Sequence, residues 1–379
     1  MIDYEILRLI WWVLVGVLLI GFAITDGFDL GVGALLTFVG RTDTERRVLI
    51  NTIGPHWDGN QVWFITAGGA IFAAWPIIYA TAFSGFYLAL LLTLAALWMR
   101  PLGFDYRSKL ESPRWRLTWD WLLFVGGLVP ALIFGVAFGN LLLGVPFEMD
   151  NTLKATYTGS FFGLLTPFAL LSGLISVSML MMHGATWLQL KTDAQLRSRS
   201  VAVASIFGGV TSGLFVLAGL WVAFGLDGYA LVSSVDGAAP SNPLNKSVEI
   251  VSGGWLSNYS KYPWMLIAPL LGTLSPLAVI WFSKQSQTGM AFVFSSASLA
   301  GIIMTAGFSM FPFLMPSSTM LNASLTMWDA TSSHFTLAVM FWVAMIFVPI
   351  VLGYTGWSFY TMRGRIKESH IVANSHSLY

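Results

Sequence analysis

The chain has 379 residues, 56% of them hydrophobic and 10% charged, where a soluble globular domain carries roughly 25% charge, so a soluble enzyme is excluded. With no cysteine it forms neither a disulfide nor a cysteine-ligated zinc, iron–sulfur or c-type haem site. Lys and Arg number 19 against 18 Asp and Glu, and a net charge of +1 leaves no bulk field to gather nucleic acid.

A helix crossing a bilayer core of about 30 Å needs roughly 20 mostly apolar residues. Nine stretches meet this requirement, which predicts an all-α integral membrane protein built as a single polytopic domain over residues 1–379. The first, 7–28, runs at its inner end into Asp26-Gly-Phe-Asp29-Leu-Gly-Val-Gly33. On a helix Asp26 and Asp29 face the same way, and Gly27 and Gly31 form a GxxxG contact that admits a neighbouring helix. Such a pair marks a proton or ion path, because intramembrane carboxylates are costly; the plainer reading is a helix end whose carboxylates already sit at the interface.

The second stretch, 55–75, opens with Pro55-His56-Trp57-Asp58-Gly59-Asn60-Gln61-Val62-Trp63. Proline at the first position and an acid in the first turn are ordinary helix starts, so Asp58 could simply complement the dipole. The density of polar side chains between two Trp equally suits the mouth of a hydrated path. After the third stretch, 79–99, comes a charged loop, Phe104-Asp105-Tyr106-Arg107-Ser108-Lys109, on the same side as Asp29 and Asp58. The remaining stretches are 117–143, 161–190, 201–224, 264–282, 291–311 and 335–360. Two connections, about 225–263 and 312–334, are long enough to carry contacts or function.

Lys and Arg are retained on the cytoplasmic side of short loops. With nine spans, all of them except Arg8, Lys154, Lys246 and Lys261 fall on one side, which places the N-terminus in the periplasm and the C-terminus in the cytoplasm. Both long connections are then periplasmic. Residues 1–8 lack the basic start of a secretory signal peptide. Most of the 17 Trp fall near span ends, as interfacial anchors do. Of five histidines, His370 and His376 lie in the polar tail and His334 at an external helix end; only His56 and His183 approach membrane depth. No spacing signature supports a haem on that pair, and histidines near helix ends are more often hydrogen-bonding groups. Metalloprotease, P-loop and dinucleotide motifs are absent. On residues alone, an acidic pair beside a glycine contact suits a secondary transporter coupled to a cation, which predicts helices broken near mid-membrane.

Taken together, the strings resemble subunit II of the cytochrome bd ubiquinol oxidases, in the longer proteobacterial form. The likeness runs from Trp11-Trp12 to Ser377-Leu378-Tyr379. Its marks are Asp26 to Gly33, His56 to Trp63, Phe72-Ala-Ala-Trp-Pro76, Ala82-Phe-Ser-Gly-Phe-Tyr87, Phe104 to Lys109, Asn242-Pro-Leu-Asn-Lys246, Met315-Pro-Ser-Ser-Thr319 and Leu325 to Ser333. The resemblance implies a terminal respiratory oxidase of the bacterial inner membrane, taking quinol and oxygen as substrates, electrogenic without pumping. It implies a partner, subunit I, that holds the quinol site and ligates two haem b and one haem d, with none ligated by this chain. Small single-span accessory subunits also attend such complexes. Carried over by motif, Asp29, Asp58, Asp105, Lys109 and Tyr379 would lie on a cytoplasmic proton path, and Trp63 would border an oxygen passage. His183 receives no role. A purely structural scaffold differs from this reading only in denying the carboxylates a part.

Overall fold

The computed structural model describes residues 2–373 and Tyr379, so His376, Ser377 and Leu378 lie outside the described residues. Helix α1 (Tyr4–Val39) spans 36 residues, well beyond the 7–28 run. The Asp26 to Gly33 segment is not the helix end that its polarity suggests. Every residue from Asp26 to Leu36 is buried, and packing on all sides carries the helix through two carboxylates and three glycines. A helix not foreseen, α2 (Asp43–Ile53), follows. Thr42 Oγ1 accepts from Glu45 N at 3.1 Å and the Glu45 carboxylate accepts from Thr42 N at 3.2 Å, a reciprocal cap that satisfies two orphan donors.

The expected third span is displaced. After α3 (Trp57–Ala74), Trp75 breaks the chain and Pro76, which has no N–H to lose, starts α4 (Pro76–Gly85). Phe86 breaks it again before α5 (Tyr87–Tyr106), which continues past Arg100 and Pro101. The residues read as the loop after the third span, Phe104 to Tyr106, are therefore its last turn. Then come α6 (Pro113–Leu143), α7 (Pro167–Lys191), α8 (Ala194–Gly225), the short α9 (Ser257–Lys261), α10 (Ile267–Lys284), α11 (Thr288–Met310), α12 (His334–Thr361) and α13 (Glu368–Ala373). Among the described residues eight helices are long and apolar enough to cross a membrane. The stretch expected as a ninth, α3, is not one of them, because Asp58, Asn60 and Gln61 occupy its first turns.

Helix α1 is central, touching α3, α6, α7, α11 and α12. Close approach is made by small residues. A Cβ on Gly31 would strike the main chain of Leu180 and Gly184 in α7, and one on Gly33 would meet Leu123 O and Gly127 in α6.

Three antiparallel two-stranded ladders lie in the connections after α6, α8 and α11: β1 (Phe147–Met149) with β2 (Ala155–Tyr157), β3 (Asp227–Leu231) with β4 (Val248–Ser252), and β5 (Phe313–Met315) with β6 (Leu325–Thr326). They pair backbone groups that the helices cannot. The ladders gather at one end of the bundle, where Val145 bridges to Ser317 and Val248 N donates to Asn322 Oδ1 at 2.9 Å. Two buried cations fasten this lobe. Arg8 donates to Gly237 O (2.6 Å), Ala239 O (2.9 Å) and Thr331 Oγ1 (2.9 Å), and Lys246 Nζ lies 2.8 Å from Asp329 Oδ2. Burial pushes the Asp329 carboxyl above its ordinary range and the Lys246 ammonium below its own, partly offset in each by the other's charge.

Candidate functional site

The intramembrane acids of α1 are met by a cation from α5. Arg100 donates to both Asp26 oxygens, at 2.9 and 2.6 Å, in a bidentate pair. The same guanidinium lies 3.7 Å from Asp29 Oδ2, which also accepts from Asn60 Nδ2 of α3 at 2.8 Å. All four side chains are buried. Asp29 Oδ1 has no hydrogen-bond partner, and Asp29 lines a cavity of about 10 Å³ walled by Arg100, Ile50, Ile53, Phe104 and Leu123. That volume is room for about one water molecule beside an unpaired carboxylate oxygen. Asp26 is thus the counter-ion of Arg100, whereas Asp29 keeps one oxygen uncommitted.

Arg100 was not read as part of the site. It follows the apolar run 79–99 by one residue and so counts as a loop charge. The available signal was the Pro-Leu-Gly-Phe that follows it, which extends the helix, together with two acids in another span that need a cation. Asn60 was seen only as one of a crowd of polar residues.

The other candidate residues surround this cluster without touching it. Asp58 is exposed on the first turn of α3, and Asp105 and Lys109 are exposed at and after the end of α5. Tyr379 returns to the bundle: its main-chain oxygen accepts from Arg47 Nε (3.0 Å) and Asn51 Nδ2 (2.9 Å), and its ring lies against Gly54 and 5.9 Å from that of Phe104. Phe104 is the side chain shared between Tyr379 and the cavity wall. Trp63 is half-buried, its ring seated where Gly21 has no side chain, in the same apolar core as Phe22, Phe64 and Phe134, whose rings meet tilted or edge-on. Gly27 packs against Leu180 and near His183.

An ion-pair network missed by sequence reasoning fixes the cytoplasm-facing ends expected for these helices. Asp120, wholly buried, pairs with Arg107 Nε (2.6 Å) and Arg46 Nη1 (2.7 Å), and Asp43 pairs with Arg107 Nη2 (2.9 Å) and Arg116 Nη1 (2.7 Å). Because Arg107 points inward, its neighbours Asp105 and Lys109 are left facing out. Glu45 pairs with Arg199 at 2.8 Å; that hydrogen bond, with those from Arg41 and Thr42 N–H, holds its carboxyl below the ordinary value against the cost of burial.

His183 offers no free ring nitrogen to a haem. His183 is fully buried with both ring nitrogens engaged, Nδ1 with Ser295 Oγ at 2.7 Å and Nε2 with Ile24 O at 2.8 Å, so neither faces a metal. His56 stacks face to face on Phe359 with centroids 4.4 Å apart. Among the described residues no group of three His, Asp or Glu could hold a metal ion.

A family model for cytochrome bd terminal oxidase subunit II matches residues 7–362. The chain is 59% identical over 379 residues, 100% of both chains, to cytochrome bd-I ubiquinol oxidase subunit 2 of Escherichia coli strain K12. Over 359 residues, 95% of this chain and 96% of the other, it is 33% identical to cytochrome bd ubiquinol oxidase subunit 2 of Bacillus subtilis strain 168. Among solved structures, that of the bd oxidase from Geobacillus thermodenitrificans matches with a TM-score of 0.66 over 94% of this chain and 99% of that chain. At 18% identity this last likeness speaks to the fold alone.

Proposed function

Because the chain belongs to the cytochrome bd terminal oxidase subunit II family, we propose that it delivers protons, through Asp29, to a haem centre held by its partner, subunit I. It is a subunit of a quinol-oxidising terminal oxidase of the bacterial inner membrane. The complex carries haem. In this reading two haem b and one haem d are ligated by subunit I, and the engagement of both His183 nitrogens supports that division.

The observation that carries the proton-path reading is the uncommitted oxygen of Asp29 on a water-sized cavity. Two carboxylates and one guanidinium leave one negative charge in excess, so a single proton on Asp29 brings the buried cluster to neutrality. Asn60 orients Asp29, and Arg100, pinned by Asp26, holds its positive charge beside Asp29 while the proton comes and goes. Exposed Asp58, Asp105 and Lys109 would gather protons at the mouth, and Tyr379 would sit over the wall that Phe104 shares with the cavity. Oxygen, small and apolar, would pass beside Trp63. Gly27 and Gly31 serve as the α1 to α7 contact that keeps these groups in place.

In the same reading α3 crosses the membrane as a ninth span, the N-terminus and both long connections are periplasmic, and the C-terminus is cytoplasmic. Thr66 and Gly69, exposed further along α3, suit a face covered by protein better than one facing lipid, which favours subunit I there. Small single-span accessory subunits would complete the complex. The cation-coupled transporter reading is disfavoured because α1 is unbroken through Asp26 to Gly33.

Asp58→Asn in the assembled oxidase tests the path. Being exposed, Asp58 should cost at most about 1 kcal/mol of helix-dipole stabilisation when replaced, so haem content should hold while oxygen turnover falls. A scaffold role alone predicts an unchanged rate.

A further inference from the structure

The last turns of α12 present an aromatic belt: Tyr354, Trp357 and Tyr360 are 68, 62 and 64% exposed. Such rings settle at the headgroup level of a bilayer. Beyond Thr361 the chain folds back on the bundle. Lys191 Nζ donates to Met362 O at 2.7 Å, Ile366 N donates to Lys191 O at 2.8 Å, and Gly364 turns the chain at φ 127°, a conformation that favours glycine. Arg365 is braced on Asp193 Oδ1 at 2.8 Å.

The crook so formed between α12 and α13 holds an open cleft of about 420 Å³, lined by Arg363, Arg365, Lys367, Ser369 and His370 with Met362, Gly364 and Ile366. No acidic side chain lines it. Arg363 lies over the Tyr360 ring, 3.9 Å from its centroid, and neither it nor Lys367 forms an ion pair among the described residues. Nothing in the proton path or in the contacts that hold the bundle uses these two cations.

We propose that this cleft binds the phosphate headgroup of an anionic phospholipid, whose acyl chains lie along the exposed end of α12. The chemistry shared with any phosphate ligand is two unpaired cations and a serine hydroxyl around one cleft. A lipid is favoured over a free anion by position. The cleft opens at the end of a membrane-crossing helix, next to the belt and to exposed Ile350, Val351 and Leu352, which offer the chains an apolar track. Basic residues at this level attract anionic lipid, each strengthening the attraction about fivefold.

The test is hydrogen exchange over residues 362–373 in the purified oxidase, reconstituted into discs of phosphatidylcholine alone or with phosphatidylglycerol. The cleft predicts slower exchange with phosphatidylglycerol, and the double variant Arg363→Gln, Lys367→Gln should need roughly thirtyfold more of that lipid for the same protection. Haem content checks that the variant assembles; should it not, the two wild-type disc compositions still decide. Equal exchange in both discs overturns the proposal. So does protection already complete in phosphatidylcholine, which would mean that a protein surface covers the cleft. Protection reproduced by excess inorganic phosphate in phosphatidylcholine discs would reject the lipid and leave a free-anion site.

Discussion

Arg100 reaches two carboxylates from a side chain with only 3% of its surface exposed, so its removal strands charge in hydrocarbon. Breaking a buried pair by deleting one partner costs about 3–5 kcal/mol, because the survivor has no water to turn to. Arg100→Ala should therefore abolish or sharply lower the yield of haem-containing complex, read by visible absorbance after purification. Asp26→Asn combined with Arg100→Gln removes both charges of the bidentate pair and should recover much of the loss. Wild-type yield from Arg100→Ala alone would show that the cluster is not what holds these helices. The acids were legible in sequence because two carboxylates three apart within an apolar run are conspicuous. Their cation was not, because an arginine just past an apolar run looks like a loop residue until the fold puts it opposite an acid. Asp58 is conspicuous through the polar crowd between Trp57 and Trp63, whereas the roles of Asp105 and Lys109 rest on family resemblance; nothing in the exposure of any of the three distinguishes it from a solvated charge.

Between helices, one of the tightest contacts is Gly31 against Leu180 and Gly184. A methyl there meets main chain, which cannot rotate away, so Gly31→Ala should destabilise by about 1–3 kcal/mol, read as a lower thermal midpoint of the complex. Gly16→Ala is the control: nothing lies within 4 Å of its Cβ position, and its midpoint should match wild type or rise slightly. The Glu45 to Arg199 pair gives the α2 to α8 junction a pH signature. A carboxyl whose folded value is depressed contributes stability that is complete above its unfolded value and disappears as pH falls through the folded one. The thermal midpoint of wild type should thus exceed that of Glu45→Gln by a constant margin near neutral pH. That margin should shrink once pH drops below about 4.3, the ordinary glutamate value; a margin independent of pH would assign Glu45 a packing role only. Helix α2 was hidden from hydropathy because its sequence is charged, although the Thr42 to Glu45 spacing is a capping signal in plain view. The third span was displaced for the converse reason: hydropathy is continuous across Phe86 while the helix is not.

Across the whole molecule, apolar length and charge sidedness were enough to show a polytopic helical membrane protein, since the bilayer permits little else. Those patterns do not reveal that, of the two acids in α1, it is Asp29 that keeps an uncommitted oxygen, because that depends on which side chains three separate helices bring together. The proposed path stands or falls on proton delivery through that oxygen. Asn can still accept from Asn60 in place of Asp29, so Asp29→Asn should assemble, but an amide cannot take up and release the proton. The most direct measurement is quinol oxidase turnover, normalised to haem absorbance, in Asp29→Asn, Asp58→Asn and the double variant. Each single variant should be slowed with haem content intact, and the double should be little slower than the worse single, as for two blocks in one series route. Wild-type rates in both single variants would contradict the proposed path and leave the chain as a scaffold within the haem-containing complex.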